Sequence, residues 1–566
     1  MDRKQADRYP SDAVAVPDDR PERSGERALG DFAFTPAMAR LALLAPAIAI
    51  LVTVLALGLL ELIGAITHLV YTGTLATSIT TPDTSKLGAW SIFVPVVGGL
   101  IVGAMAKLGS ERIRGHGIPE AMETILLRGS RMEPRLAVLK PLSSAVSIGM
   151  GGPFGAEGPI IVTGGAVGSI VGQLMHLTAA ERRCLLVGGA AAGMTAVFGT
   201  PLASVLLAVE LLLFEWRPRS IVPVALAACT AEVTREALVR AGLLHAAPLF
   251  PVTATAASGG MRVAAGAVVV GVAGGALAWA MTKCVYGAED LFGRLPLHWA
   301  WWPAIGGLVV GVGGLLDPRV LGVGYETIGA ELAGRLALGA LVSLLLVKLV
   351  VWSVALGSNT SGGILAPLLM LGAALGAVLG AVLPGADTGT WALLGMAAAM
   401  AGVMRSPFTS IVFALELTHD VNALLPLTIV CTIAYLVSVA TLKRSILTEK
   451  IARRGFHVSR EYEVDPLHAL LVRDVMSAVT AEYEPLRHEP VIAQAGETLR
   501  QAADRMLASG YSVLPVFENG DPPRLVGVVR QADLLKAHER VLVEERVRER
   551  PLRPARRLEP TPEAVP

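Results

Sequence analysis

Apolar residues run in long stretches along most of this chain, while polar residues gather at its two ends and in short breaks between the stretches. The apolar runs lie at 41–61, 92–107, 159–175, 184–214, 220–233, 261–282, 301–316, 336–357, 364–384, 391–404 and 408–443. A helix needs roughly 20 apolar residues to cross the hydrocarbon core of a bilayer. The pattern therefore predicts an all-α, multi-pass membrane protein of at least ten crossings, with lipid as its surrounding solvent. Residues 1–40 are polar and carry both charge signs, unlike the basic leader and short apolar core of a signal peptide, which predicts a cytoplasmic tail. Lys443, Arg444, Lys450, Arg453 and Arg454 follow the last apolar run, and the positive-inside rule puts that end in the cytoplasm as well. The expected location is the cell membrane, with both termini cytoplasmic.

Composition agrees with this picture: 53% of residues are hydrophobic and 17% charged, and the net charge is +1, which offers no bulk field for nucleic acid. Cys184, Cys229, Cys284 and Cys431 are scattered through apolar runs without metal-ligand spacing, so they are expected as buried small hydrophobes, with no metal site. No nucleophile–base pairing suggests an enzyme. Lys140 and Lys348 flank apolar runs and are expected to snorkel to an interface.

An internal repeat carries more information than the composition. Pro201-Leu-Ala-Ser-Val-Leu-Leu-Ala-Val-Glu210-Leu and Pro407-Phe-Thr-Ser-Ile-Val-Phe-Ala-Leu-Glu416-Leu match at Pro, Ser, Ala, Glu and Leu, 206 positions apart. Pro159 is followed by Gly164, Gly168 and Gly172, and Pro367 by Gly372, Gly376 and Gly380, 208 positions apart. Two independent pairs at nearly one offset indicate a duplicated membrane unit, which in transporters places the substrate between the halves. The glycine spacing also suits close packing of membrane helices. Glu210 and Glu416 hold equivalent positions near helix ends, and their duplication favours capping or pairing at a subunit interface.

Each repeat has a Gly-rich lead-in ending in proline, Gly151-Gly-Pro-Phe-Gly-Ala-Glu-Gly-Pro159 and Gly357-Ser-Asn-Thr-Ser-Gly-Gly-Ile-Leu-Ala-Pro367, and Gly115-His-Gly-Ile-Pro-Glu120 is a third. Proline in the first turn marks a helix start. Unwound backbone at membrane depth survives only inside the protein or along a water-filled cavity. The free amides and positive dipole end of such a start can hold an anion loosely, without a trapping cation.

These motifs resemble the CLC chloride channels and exchangers, in order along residues 40–455. Gly115-His-Gly-Ile-Pro119 is similar to the family's GSGIP, Gly155-Ala-Glu-Gly-Pro159 to its G(K/R)EGP, and Gly363-Ile-Leu-Ala-Pro367 to its GxFxP. The resemblance implies a homodimer with one anion path per subunit, each path built from two inverted halves of tilted, often partial helices over residues 41–455. It implies that Glu157 is a gating glutamate, displaced from an anion site by chloride or a proton. His116, Gly117, Ile118, Gly155, Gly158, Gly363, Ile364, Leu365 and Ala366 would line the anion sites, the last group through backbone amides. The bland alternative for Glu157 is a carboxylate capping its own helix.

Three departures bear on mechanism. His116 stands where the family has a serine hydroxyl, either donating to the anion or filling space. The family's pore tyrosine should fall near 442–447, yet that segment reads Leu-Lys-Arg-Ser-Ile-Leu. The inner proton-transfer glutamate of the exchangers corresponds to Leu211, and leucine cannot relay protons.

Beyond a linker at 456–471, residues 472–540 resemble a small α/β CBS motif, read as strand 472–476, helix, strand, strand and helix. That resemblance makes Asp533 a candidate for the ribose of an adenine nucleotide, with pairing across the dimer and no ligand as the alternative. Residues 541–566 read as a basic, disordered tail. The leading functional expectation is passive conduction of chloride or similar small anions. Proton-coupled chloride exchange by a non-standard inner path is the alternative, and a CBS-bearing divalent-cation channel the alternative of another class; no other cofactor is expected.

Overall fold

A computed structural model describes residues 36–244, 248–251, 260–455, 467, 470–478, 491–518 and 524–536. The expectations for residues 1–35 and 541–566, and for most of the 456–471 linker, lie outside the described residues.

The first half runs α1 (Pro36–Tyr71), α2 (Phe93–Leu108), α3 (Ile118–Leu127), α4 (Leu136–Gly149), α5 (Glu157–Leu174), α6 (Ala179–Phe198), α7 (Pro201–Leu207) and α8 (Pro218–Arg240). The second runs α9 (Gly260–Gly293), α10 (Trp302–Leu316), α11 (Tyr325–Leu332), α12 (Leu338–Gly357), α13 (Leu365–Gly380), α14 (Thr388–Met404), α15 (Pro407–Thr418), α16 (Leu424–Thr441) and α17 (Ile446–Arg453). Six helical segments among the described residues are long and apolar enough to cross a membrane. That is fewer than the ten crossings expected, and the reason is physical. Apolar composition marks burial, whether in lipid or in protein, and several runs end up in protein. Every residue of α14 from Gly389 to Met404 is buried. The run 184–214 is split between α6, α7 and a π-turn at Ala208–Leu213.

The duplication is visible in reciprocal contacts. The Gly155 and Gly363 loops form an antiparallel bridge, in which the Gly155 amide donates to the Gly363 carbonyl (3.2 Å) and the Gly363 amide to the Gly155 carbonyl (2.8 Å). Glu416 accepts from the Leu202 and Ala203 amides at the start of α7 (3.0 and 2.8 Å). Glu210 accepts from the Phe408 and Thr409 amides at the start of α15 (3.3 and 2.8 Å). Each half therefore caps the helix of the other, as a two-fold relation requires. A Cβ added to Gly164 would lie 2.2 Å from the Gly189 carbonyl oxygen, and one on Gly372 would lie 2.5 Å from that of Gly395. The four-residue glycine spacing thus brings α5 against α6, and α13 against α14, at backbone contact.

Two expectations about polar side chains are corrected. Lys140 and Lys348 do not snorkel; they are 1% and 0% exposed and donate to backbone carbonyls inside the bundle. Burial of an ammonium is tolerable there because unwound turns leave carbonyls free to receive it, which linear spacing does not reveal. Cys184 and Cys431 are buried, but Cys229 on α8 and Cys284 on α9 lie exposed on helix faces. A small apolar side chain is equally at home facing lipid.

The C-terminal module is a three-stranded sheet in the order β1 (Ala493–Gln494), β2 (Val513–Glu518), β3 (Arg524–Arg530), with α18 (Leu499–Ser509) packed on it. β1 pairs with β2 in parallel through Ala493 and Val516, and β2 with β3 antiparallel, Val513 opposite Arg530. The strand expected at 472–476 is instead a 3-10 turn at Val472–Asp474, flanked by single bridges of Leu471 to Thr498 and of Ser477 to Val528. Its apolar residues pack into the module's core without joining the sheet.

Candidate anion site

Three helix starts meet in the middle of the membrane part: α3 at Ile118, α5 at Glu157 and α13 at Leu365. Their closeness is a matter of glycine. A Cβ on Gly158 would fall 2.1 Å from the His116 carbonyl oxygen, and one on Gly155 would fall 1.9 Å from the Glu157 carboxylate. Only glycine at 155 lets that carboxylate fold back over its own lead-in.

Glu157 is fully buried. Its Oε1 accepts a short hydrogen bond from the Ala366 amide, with the Leu365 and Glu157 amides also facing the carboxylate. Oε2 has no partner. No described lysine or arginine lies within ion-pair distance of it. The carboxylate thus faces the start of α13, in the other repeat, as well as the start of its own helix α5. Free amides and two converging dipoles make that position attractive to any small anion.

His116 is 2% exposed, and its ring makes no hydrogen bond to a described residue; Nδ1 is enclosed and unpartnered. Its loop is pinned from both sides. The Gly115 amide donates to the Thr360 carbonyl (3.1 Å), and the Gly117 amide to Glu120 Oε2 (2.9 Å). Lys140 Nζ donates to the Ile113 and Gly115 carbonyls (2.8 and 2.7 Å) and to Ser361 Oγ (3.1 Å), tying this loop to the α13 lead-in. Lys140 and Glu120 are site-building residues that sequence reasoning missed. The only sequence signal was Glu120 three positions after Gly117, the spacing of a capping box.

On the α17 side, Lys450 and Arg454 each approach Glu120 Oε1 to 3.4 Å, and Arg454 also pairs with Glu123. Leu447, in the segment where the tyrosine was expected, is fully buried and brings no hydroxyl. Leu211 is fully buried in the π-turn. On the opposite side a cavity of about 700 Å³ is walled by Glu61, Arg235, Phe250, Tyr325, Glu326 and Arg335. Tyr325 lies within electrostatic reach of Glu157, and its hydroxyl is buried without a hydrogen-bond partner among the described residues.

The structure brings Gly117, Ile118, Gly155, Glu157, Gly158, Gly363, Ile364, Leu365 and Ala366 to one place, all buried, with His116 beside them. Asp533 is remote from it. Its Oδ2 accepts from the Arg530 amide (2.9 Å) and its Oδ1 from Lys536 Nζ (2.5 Å), so both oxygens are engaged.

The voltage gated chloride channel family matches residues 98–439. The chain belongs to this family, the CLC proteins. A CBS domain matches residues 472–540. A protein of Ralstonia nicotianae named as a ClcB-like chloride channel is 28% identical over 372 residues, covering 64% of this chain and 85% of that protein. The H(+)/Cl(-) exchange transporter ClcA of Yersinia pestis bv. Antiqua is 30% identical over 349 residues, covering 57% of this chain and 69% of the relative. Among solved structures, a slow cyanobacterial Cl-/H+ antiporter superposes with a TM-score of 0.65 at 20% identity, over 75% of this chain and 99% of the other. This CLC protein is thus a membrane anion transporter by family, with that fold.

Proposed function

We propose that this CLC protein exchanges chloride for protons, that Glu157 is its gate, and that it works as a homodimer with an anion path in each subunit. The observation that carries this is the place of the Glu157 carboxylate, on the amides at the start of α13 with no described lysine or arginine at ion-pair distance and the buried Lys348 within electrostatic reach. A carboxylate there occupies what an anion would occupy. Chloride can bind only when the side chain leaves, and a proton lowers the cost of leaving by neutralising it. Movement of the anion is thereby linked to movement of a proton.

The exchange transporter ClcA, the relative at 30% identity, favours this over the passive conduction expected from the sequence. Passive conduction keeps one specific point in its favour, the buried Leu211 where the exchangers carry a glutamate. The two separate in liposomes holding the purified protein under a chloride gradient. Exchange drives protons against their own gradient until the chloride gradient is spent. A protein that moves chloride without any uphill proton movement would be a channel.

A further inference from the structure

If protons cross with Leu211 in place, a group other than that glutamate carries them between Glu157 and the α17 side. We infer that His116 is that carrier, an inference that rests on the exchange reading above.

His116 sits between Gly115 and Gly117, and its backbone carbonyl packs against Gly158 beside the gate. It is buried, and neither ring nitrogen bonds to a described residue. A buried polar atom left without a partner costs about 1–3 kcal/mol, so it persists where a transient partner is supplied. The other groups facing the ring are already committed. Lys140 on α4 directs Nζ at the Ile113 and Gly115 carbonyls and Ser361 Oγ. Glu120 on α3 is held as an anion by the Gly117 amide, Lys450 and Arg454. Lys450 in turn is spent on Glu120, and Arg454 on Glu120 and Glu123. His116 alone in this set keeps a free lone pair, on a ring that can take up a proton at one nitrogen and give one back.

The transfer balances without a further reagent. The Glu157 carboxylic acid gives its proton to an imidazole nitrogen and becomes a carboxylate. The imidazolium, balanced by an anion in the path, releases a proton to water beside Arg454. Solvent reaches that point, since the Arg454 side chain is 41% exposed. The ring is then neutral again.

The test compares wild type with His116→Gln and His116→Ser in liposomes, reading protons moved per chloride moved. The two replacements differ in size, and each variant's chloride flux above protein-free liposomes shows that it has folded. The expected result is at least a tenfold fall in that ratio for both. A folded variant that keeps the wild-type ratio overturns the role of His116 while leaving exchange intact. A wild type that moves no protons overturns exchange itself, and the relay with it.

Discussion

Glu157 and Gly155 are one device at the residue scale, because the missing side chain at 155 is the space into which the carboxylate folds. Two variants test it from opposite sides. Glu157→Gln removes the titrating group, so pH should no longer control transport, chloride flux should equal or exceed wild type, and proton flux should fall at least tenfold in liposome assays. Gly155→Ala puts a Cβ 1.9 Å from the carboxylate, which must swing off the amides of α13. Chloride flux should then rise with the glutamate still present, and unchanged pH-gated flux would show that the carboxylate has another place to go. In the CBS module, burial pushes the Asp533 carboxyl up, but hydrogen bonds from Lys536 and Arg530 outweigh it and hold the group below the usual carboxylate range. A depressed folded value means stability that is present above the unfolded value, near 3.9, and lost as pH falls through the folded one. Asp533→Asn should therefore speed hydrogen exchange in β3 at pH 7, and the difference from wild type should shrink below about pH 4.

At the scale of elements, the reciprocal caps join the repeats at a second place besides the Gly155–Gly363 bridge. Glu210→Ala uncovers the amides of α15 and Glu416→Ala those of α7, each costing about 1 kcal/mol as a lost helix cap. Because the two caps are equivalent by the two-fold relation, similar losses are expected for both in denaturant unfolding in detergent. A large loss for one and none for the other would mean that only one cap is structural. Both glutamates stood out in the sequence by their duplication, which pointed to a structural task. Their actual partners did not stand out, since each lies about 200 positions away and is bound largely through backbone amides that carry no residue identity, together with the Thr409 hydroxyl on Glu210. Lys140 escaped for the same reason: its acceptors are carbonyls and a hydroxyl released by unwound backbone, and a lysine beside an apolar run looks the same whether it reaches water or folds inward.

For the whole molecule, the three helices whose starts meet at the candidate site, α3, α5 and α13, all belong to one chain. In a covalently linked dimer with Glu157→Gln in one subunit only, about half of the proton-coupled chloride flux should therefore remain. Its complete loss would mean that the subunits share a gate.

The sequence by itself determined the membrane class, the duplication, the three Gly-Pro helix starts and the glutamate among them. Each of these is written locally, in hydropathy, in proline's and glycine's special backbone, or in a repeated offset. Only the tertiary structure decided which apolar runs are enclosed by protein, where Glu157 directs its carboxylate, and that the His116 imidazole bonds to no described residue while its charged neighbours are paired. Those outcomes depend on which backbone amides and carbonyls the fold leaves unpaired and where it gathers them, and no residue type signals that along the chain.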